Sequence, residues 1–136
     1  MRFASACTLS ACLLLAACAT DPDQQLRKLL VGQWEHTVGI YGERRTSQLT
    51  FEADGKFLQT GFSEVRGSRF AFSPEEGTWS LSGSTLEMHY RAPQSGAQAA
   101  RTQTDVRRII KLSEGEFVSA DAKFGIELAY KRSNSP

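Results

Sequence analysis

The chain has little that would hold it together covalently or carry it across a membrane. No cysteine follows Cys18, so residues 19–136 must be stabilised by core packing and backbone pairing rather than by disulfides. Outside the N-terminal segment there is no long apolar run, and that segment is shorter than the roughly 20 residues that a transmembrane helix needs. These absences indicate one small domain without cross-links or a membrane-spanning helix.

An excess of one charge is missing as well. Sixteen basic residues stand against fifteen acidic ones, whereas a nucleic-acid partner is ordinarily met by a basic excess or stripe. The small basic clusters, Arg44-Arg45 and Arg107-Arg108 with Lys111, are predicted to be solvated charges at strand edges or in loops. We therefore predict that nucleic acid is not a partner.

Sequence motifs that would indicate catalysis are also absent. There is no Gly-x-Ser-x-Gly elbow, no glycine-rich phosphate loop, no zinc-protease helix and no calcium loop. The two histidines, His36 and His89, are predicted to lie on opposite strand faces, and a solvated surface position is predicted for His89. We therefore predict no catalytic residue, no metal site and no cofactor. Enzyme activity is a third hypothesis, behind the two binding functions described below.

The N-terminal segment resembles a bacterial lipoprotein signal peptide. A positive start precedes a largely apolar stretch, residues 3–15, and the small residues Ala16 and Ala17 then precede Cys18. The resemblance implies removal of residues 1–17 and attachment of acyl chains, such as palmitate, to Cys18. Several acyl chains together would fasten the remaining domain firmly to a membrane.

The residue after the lipidated cysteine bears on localisation. It is Ala19 rather than an aspartate, and resemblance to lipoproteins of bacteria with two membranes implies sorting to the outer membrane, with the domain facing the periplasm. The sequence does not decide whether the host bacterium has one membrane or two. The expected location is therefore the cell envelope.

Residues 18–31 are predicted to form a lipidated tether and a short helix. Asp21-Pro22 is typical of a helix N-cap followed by proline at the first helical position, and leucines follow at helical spacing before Gly32. Residues 32–132 are predicted to form a β domain, and residues 133–136 a C-terminal tail.

Within residues 32–132 apolar and polar residues alternate with the period of a strand. The sequence predicts eight or nine antiparallel strands near 33–40, 48–52, 56–63, 70–72, 77–81, 85–91, 102–112, 116–120 and 124–131. Asp54-Gly55 predicts a hairpin with a type I′ turn. The sequence does not decide whether Phe57 or Leu58 of the following strand faces the interior. Residues 92–101 are predicted to be a flexible loop. Such an all-β meander is expected to close into a small barrel or half-barrel.

The two ends of this β domain resemble the lipocalin pattern. Gly32-Gln33-Trp34 opens the first strand after a short helix, Tyr130-Lys131-Arg132 closes the last, and a second Gly-x-Trp ends at Trp79. The resemblance implies a lipocalin-like barrel in which Arg132 lies over the Trp34 indole as a cation–π contact.

Two functions follow from these patterns. The first is binding of a small hydrophobic ligand, for which the candidate residues are Trp34, His36, Tyr90 and Arg132. The alternative is a protein-interaction module, acting as an inhibitor, assembly partner or structural partner in the envelope and presenting the 92–101 loop. Either protein would be held at the membrane by its acyl chains.

Overall fold

A computed structural model describes residues 21–91 and 103–133. Within these residues the chain forms one helix, α1 (Pro22–Leu30), and nine strands: β1 (Gly32–Ile40), β2 (Glu43–Phe51), β3 (Lys56–Val65), β4 (Ser68–Ala71), β5 (Glu75–Ser82), β6 (Thr85–Tyr90), β7 (Thr104–Leu112), β8 (Glu116–Asp121) and β9 (Glu127–Arg132). The predicted signal peptide, Cys18, the 92–101 loop and residues 134–136 lie outside the described part. No helix in that part has the length and apolarity to cross a membrane.

Eight of the strands form a closed antiparallel barrel. Neighbouring strands pair in the order β2-β1-β9-β8-β7-β6-β5-β3, and pairing of β2 with β3 completes the ring. The first residues of β3 pair with β5, and its last residues pair with the short strand β4. Closure removes the unpaired edges that an open sheet would expose. The predicted lipocalin-like barrel is therefore confirmed.

Helix α1 begins and ends where local chemistry requires. The Asp21 carboxylate accepts a hydrogen bond from the Asp23 backbone N–H at 3.0 Å, and Pro22 occupies the first turn. The helix stops before Gly32, whose φ of +131° is a conformation that other residues rarely adopt. Its last residue, Leu30, is fully buried, so α1 packs into one end of the barrel.

Aromatic side chains fill the half of the barrel next to α1. Trp34 meets Phe117 edge-on with 5.6 Å between ring centroids, Phe51 meets Trp79 at 5.4 Å, and Phe117 stacks on Tyr130 at 5.2 Å. Such contacts add a directional preference to the burial of large apolar surfaces. This half of the barrel is a packed core.

The predicted hairpin after β2 is present, but its turn differs from the prediction. Gly55 has a positive φ of +88° whereas Asp54 does not, so a type I′ turn, which needs two such residues, is not formed. The Gly55 N–H instead donates to the Glu52 carbonyl at 3.1 Å. The structure also decides which side chain of the following strand faces the interior, because Phe57 is buried and Leu58 is exposed.

Two predicted strand starts differ from the structure by three residues or more. β2 begins at Glu43, five residues before the predicted start at 48. β9 begins at Glu127 rather than near 124, because the Asp121 carboxylate accepts a hydrogen bond from the Phe124 N–H at 2.6 Å and Gly125 has a φ of +69°. These two features make a turn where alternation alone suggested a strand.

Candidate functional site

The strand register divides the inner wall of the barrel into three zones. On β1 and β2, Trp34 lies opposite Leu49 next to α1. One step further along the inner face, His36 lies opposite Ser47. Val38, beyond them, is partly exposed. From the end closed by α1 to the open end, the wall therefore changes from an aromatic core to a polar zone and then to a rim where Val38 and Ile40 lie opposite Arg45 and Glu43.

The polar zone contains a cavity of about 120 Å³. Its wall combines three apolar side chains with seven that can hydrogen-bond: Leu49, Met88 and Leu128, and His36, Ser47, Gln59, Tyr90, Asp105, Arg107 and Tyr130. The wall is therefore mainly polar, and its convergent hydrogen-bonding groups are of the kind that orient a small molecule.

An ion pair lies on the β7 side of this cavity. Arg107 Nε donates to Asp105 Oδ2 at 2.8 Å, and both side chains are only 17% exposed. Burial opposes a charged guanidinium, but Tyr130 and the Asp105 carboxylate outweigh this effect and raise the pKa of Arg107 above its ordinary value. The Nη1 atom of Arg107 is buried and has no hydrogen-bond partner among the described residues. The cavity therefore holds a charged pair with one unsatisfied donor.

Two tyrosines complete the polar wall. The Tyr90 hydroxyl donates to Gln59 Oε1 at 2.9 Å. Burial, followed by the negative charges of Asp105 and Glu75, raises the pKa of Tyr90, and burial also raises the pKa of Tyr130. Both phenols therefore stay uncharged, and each keeps its hydroxyl proton for donation.

His36 is fixed at the edge of the cavity. Its Nδ1 lies 2.8 Å from the Ala129 carbonyl oxygen, and its ring centroid lies 5.3 Å from that of Tyr130. Because a carbonyl oxygen only accepts hydrogen bonds, Nδ1 is the nitrogen that carries a proton. Nε2 is then the ring nitrogen left for another group.

The structure separates the four candidate ligand residues into two pairs. His36 and Tyr90 line the cavity. Trp34 is fully buried in the packed core, and its indole N–H donates to the Leu30 carbonyl at 2.7 Å. The guanidinium of Arg132 lies 4.2 Å from the centre of the Trp34 ring, as the lipocalin resemblance implied.

Arg132 donates hydrogen bonds to backbone carbonyls at the closed end. It donates to the carbonyls of Leu29 at 2.5 Å, Val31 at 3.0 Å and Glu114 at 2.5 Å. The first two are backbone groups at the C-terminal end of α1, which need partners because the helix cannot supply them. Trp34 and Arg132 thus join α1 to the barrel and do not line the cavity.

The prediction that Arg107 is a solvated charge was wrong. Arg107 points into the barrel, whereas its neighbour Arg108 is exposed. Asp105 lies two positions before Arg107 on β7 and therefore on the same face. This i, i+2 spacing of opposite charges was the sequence signal that could have identified the pair.

The second histidine lies where the sequence placed it. His89 has 43% of its side chain exposed, with Nδ1 3.0 Å from the Thr104 hydroxyl and Nε2 3.5 Å from the Glu87 carboxylate. It is separated from the cavity that His36 lines. In residues 21–91 and 103–133 no three His, Cys, Asp or Glu side chains group as metal ligands would.

Known proteins share this architecture. A crystal structure of an uncharacterized protein from Bacteroides eggerthii DSM 20697 superimposes with a TM-score of 0.50 at 14% identity, over 76% of this chain and 99% of that one. This likeness concerns the fold alone. No curated protein matches the sequence. Residues 30–119, more than half of the chain, match the family described as the lipocalin-like domain, a fold that typically binds rather than catalyses. This chain therefore belongs to the lipocalin-like domain family.

Proposed function

We propose that this chain is a lipid-anchored envelope protein that binds a small hydrophobic molecule at the open end of its barrel. The observation that carries the proposal is the cavity of about 120 Å³, together with the exposed apolar side chains of the rim beyond it. Ligand sites for drug-sized molecules have volumes of about 300–1,000 Å³. The cavity therefore suits one part of such a ligand, and the rest must lie against the rim.

The rim carries the apolar surface that this arrangement needs. We call it the apolar collar; its side chains are between 36% and 59% exposed, and its members are Val38, Ile40, Val65, Phe70 and Phe72. By strand alternation Val38 and Ile40 share the inner face with Trp34. A methyl group added at Gly61 would lie 3.1 Å from the Phe72 ring, which places that ring on the inner face of β3.

Val38 follows the cavity residue His36 on the inner face of β1, so the collar can receive the hydrophobic part of the ligand. Each methylene removed from water on such a surface contributes roughly 0.8 kcal/mol. Because Val38 and Ile40 lie on the inner face of the barrel rather than on its outer surface, the collar suits a slender alkyl chain better than the surface of a protein. The ligand-binding proposal therefore ranks above the protein-interaction module.

The anchor would orient the barrel. Asp23 Oδ2 accepts a hydrogen bond at 3.1 Å from the backbone N–H of Gly83, in the β5–β6 turn. Cys18 precedes Asp23 by five residues, and a chain spans at most about 3.5 Å per residue. An acylated Cys18 would therefore keep the closed end near the bilayer and leave the open end facing away from it.

Binding is tested with the uncharged fluorescent probe N-phenyl-1-naphthylamine. We expect the wild-type protein to enhance its fluorescence and Gln59→Trp, which fills the cavity, to weaken binding at least tenfold. Leu58→Trp is the matched control, because this adjacent side chain points outward, and it should leave binding unchanged. Absence of probe binding by the wild type, or equal binding by Gln59→Trp, would contradict the proposal.

Anchoring is tested separately by mass spectrometry of the N-terminal peptide after expression in a bacterium with two membranes. We expect an acylated peptide that begins at Cys18, and release of the Cys18→Ser variant from the outer-membrane fraction. A full-length protein in the cytosol, with Met1 retained, would contradict the anchor but not the ligand site.

A further inference from the structure

We propose that the cavity selects an amphiphile whose head group is an uncharged hydrogen-bond acceptor, such as an amide carbonyl, over the matching carboxylate. This inference rests on the proposed ligand-binding function and adds the chemistry of the head group. The head group lies in the cavity, and the alkyl chain lies along the apolar collar.

The requirement for an acceptor comes from Arg107. One edge of its guanidinium is occupied, because Nε donates to Asp105 at 2.8 Å, but the buried Nη1 has no partner among the described residues. A buried charged donor without an acceptor is unfavourable, and nearly all such groups in proteins are satisfied. A carbonyl oxygen placed about 2.9 Å from Nη1 would satisfy it.

Other groups in the cavity favour an acceptor too. The hydroxyls of Ser47 and Tyr130 line the same space, and neither donates to another group in the part of the chain that the structure describes. The Tyr90 hydroxyl already donates its proton to Gln59. Arg107 Nη1 and the hydroxyls of Ser47 and Tyr130 are therefore donors that an acceptor group from the ligand would complement.

The preference for an uncharged acceptor follows from the charges in the cavity. Asp105 and Arg107 are the oppositely charged residues of its described wall, and each cancels the other. At the rim, Glu43 is matched in the same way by Arg45, with 2.8 Å between Oε1 and Nε. A carboxylate entering the barrel would add an unmatched negative charge beside Asp105 in a partly dehydrated space, which is strongly unfavourable. An amide carbonyl brings no such charge.

The proposal is tested with two probes of equal chain length, octanamide and octanoate, which compete with N-phenyl-1-naphthylamine. The titrations are run at pH 8, above the range in which histidines usually carry charge. We expect the wild-type protein to bind octanamide at least tenfold more tightly than octanoate. Equal or tighter binding of octanoate would overturn the proposal.

Three variants test whether the Asp105–Arg107 ion pair causes the preference for octanamide. Arg107→Met removes the unsatisfied donor and should lower octanamide affinity about tenfold, the size of a hydrogen bond to a charged group, while the naphthylamine probe still binds. Asp105→Asn leaves the Arg107 charge unmatched and should reverse the order, so that octanoate binds more tightly than octanamide. Arg108→Met is the matched control, because this exposed neighbour should change neither affinity. Failure of Asp105→Asn to shift the order towards octanoate, in a variant that still binds the naphthylamine probe, would contradict the charge argument.

The outcomes also separate this inference from the proposed function. If N-phenyl-1-naphthylamine does not bind the wild-type protein, the proposed function fails. If it binds and the two octyl probes compete equally, ligand binding stands and the head-group preference is wrong.

Discussion

The closed end and the open end of this barrel are formed by the same strands but differ in how their polar groups are paired. At the closed end, Trp34 and Arg132 donate to backbone carbonyls of α1 and of the β7–β8 turn, and aromatic rings fill the space between them. Towards the open end, Arg107 has a buried donor with no partner among the described residues, and the collar exposes apolar side chains. The closed end therefore has its polar groups paired within the protein, whereas the groups left without partners towards the open end are those of the proposed ligand site.

The largest expected effect on stability is at the closed end. Trp34→Ala empties the centre of the aromatic core and leaves the Leu30 carbonyl without its donor, so we expect a loss of about 3–5 kcal/mol in the free energy of unfolding. Ile40→Ala, in the collar, removes a side chain that is 45% exposed and should cost less than about 1 kcal/mol. Urea denaturation followed by circular dichroism measures both. Similar losses would contradict the contrast between the two ends.

A smaller loss is expected for Arg132→Met. The variant leaves three carbonyl groups without their donor and removes the stacking on Trp34, which we expect to lower the free energy of unfolding by about 2–3 kcal/mol. Arg108→Met should stay within about 0.5 kcal/mol of the wild type, because Arg108 is exposed. If both variants unfold at the same urea concentration, Arg132 does not join α1 to the barrel as described.

The two tyrosines of the cavity wall predict how stability depends on alkaline pH. The folded pKa values of Tyr90 and Tyr130 are raised above the ordinary value of 10.0, so their contribution is fully present below pH 10 and is lost as the pH rises through the raised values. The Tyr41→Phe variant contains only these two tyrosines. As the pH rises, its phenolate absorbance at 295 nm should increase together with the loss of its circular dichroism signal. Ionisation near pH 10 with an unchanged fold would contradict their burial.

The smallest effect on stability, combined with a clear effect on binding, is expected in the collar. Phe70→Ser should change the free energy of unfolding by less than about 0.5 kcal/mol, because the ring is 59% exposed, yet weaken N-phenyl-1-naphthylamine binding several-fold. Phe124→Ser is the matched control, since this ring is 69% exposed in the β8–β9 turn outside the collar. Equal affinities of the two variants would show that the collar does not contact the ligand.

Much of the barrel could be predicted because its local signals are strong. Asp21-Pro22 predicted the start of α1, and the Gly55 and Gly83 turns divided the chain into hairpins that the structure contains. Alternation along β6 assigned Leu86 and Met88 to one face, and both are buried. These signals act over a few residues, which is why they can be recognised without knowing the tertiary structure.

The cavity could not be predicted in the same way. β7 contains the doublets Arg107-Arg108 and Ile109-Ile110, so its sequence does not alternate, and its register with β8 shifts between Ile109 and Lys111. A β-bulge of this kind changes which residues face inward along one strand. Only pairing with both neighbouring strands decides that Arg107 is inside and Arg108 outside.

The sequence by itself determined the helix and most of the strands, because these depend on short-range periodicity and on glycine and proline positions. The tertiary structure alone decided that Trp34 and Arg132 close one end while His36, Tyr90, Asp105 and Arg107 meet in the cavity beyond the aromatic core. The cavity residues come from different strands, and closure of the ring brings them together. No local pattern records which side chains a closed barrel places opposite one another.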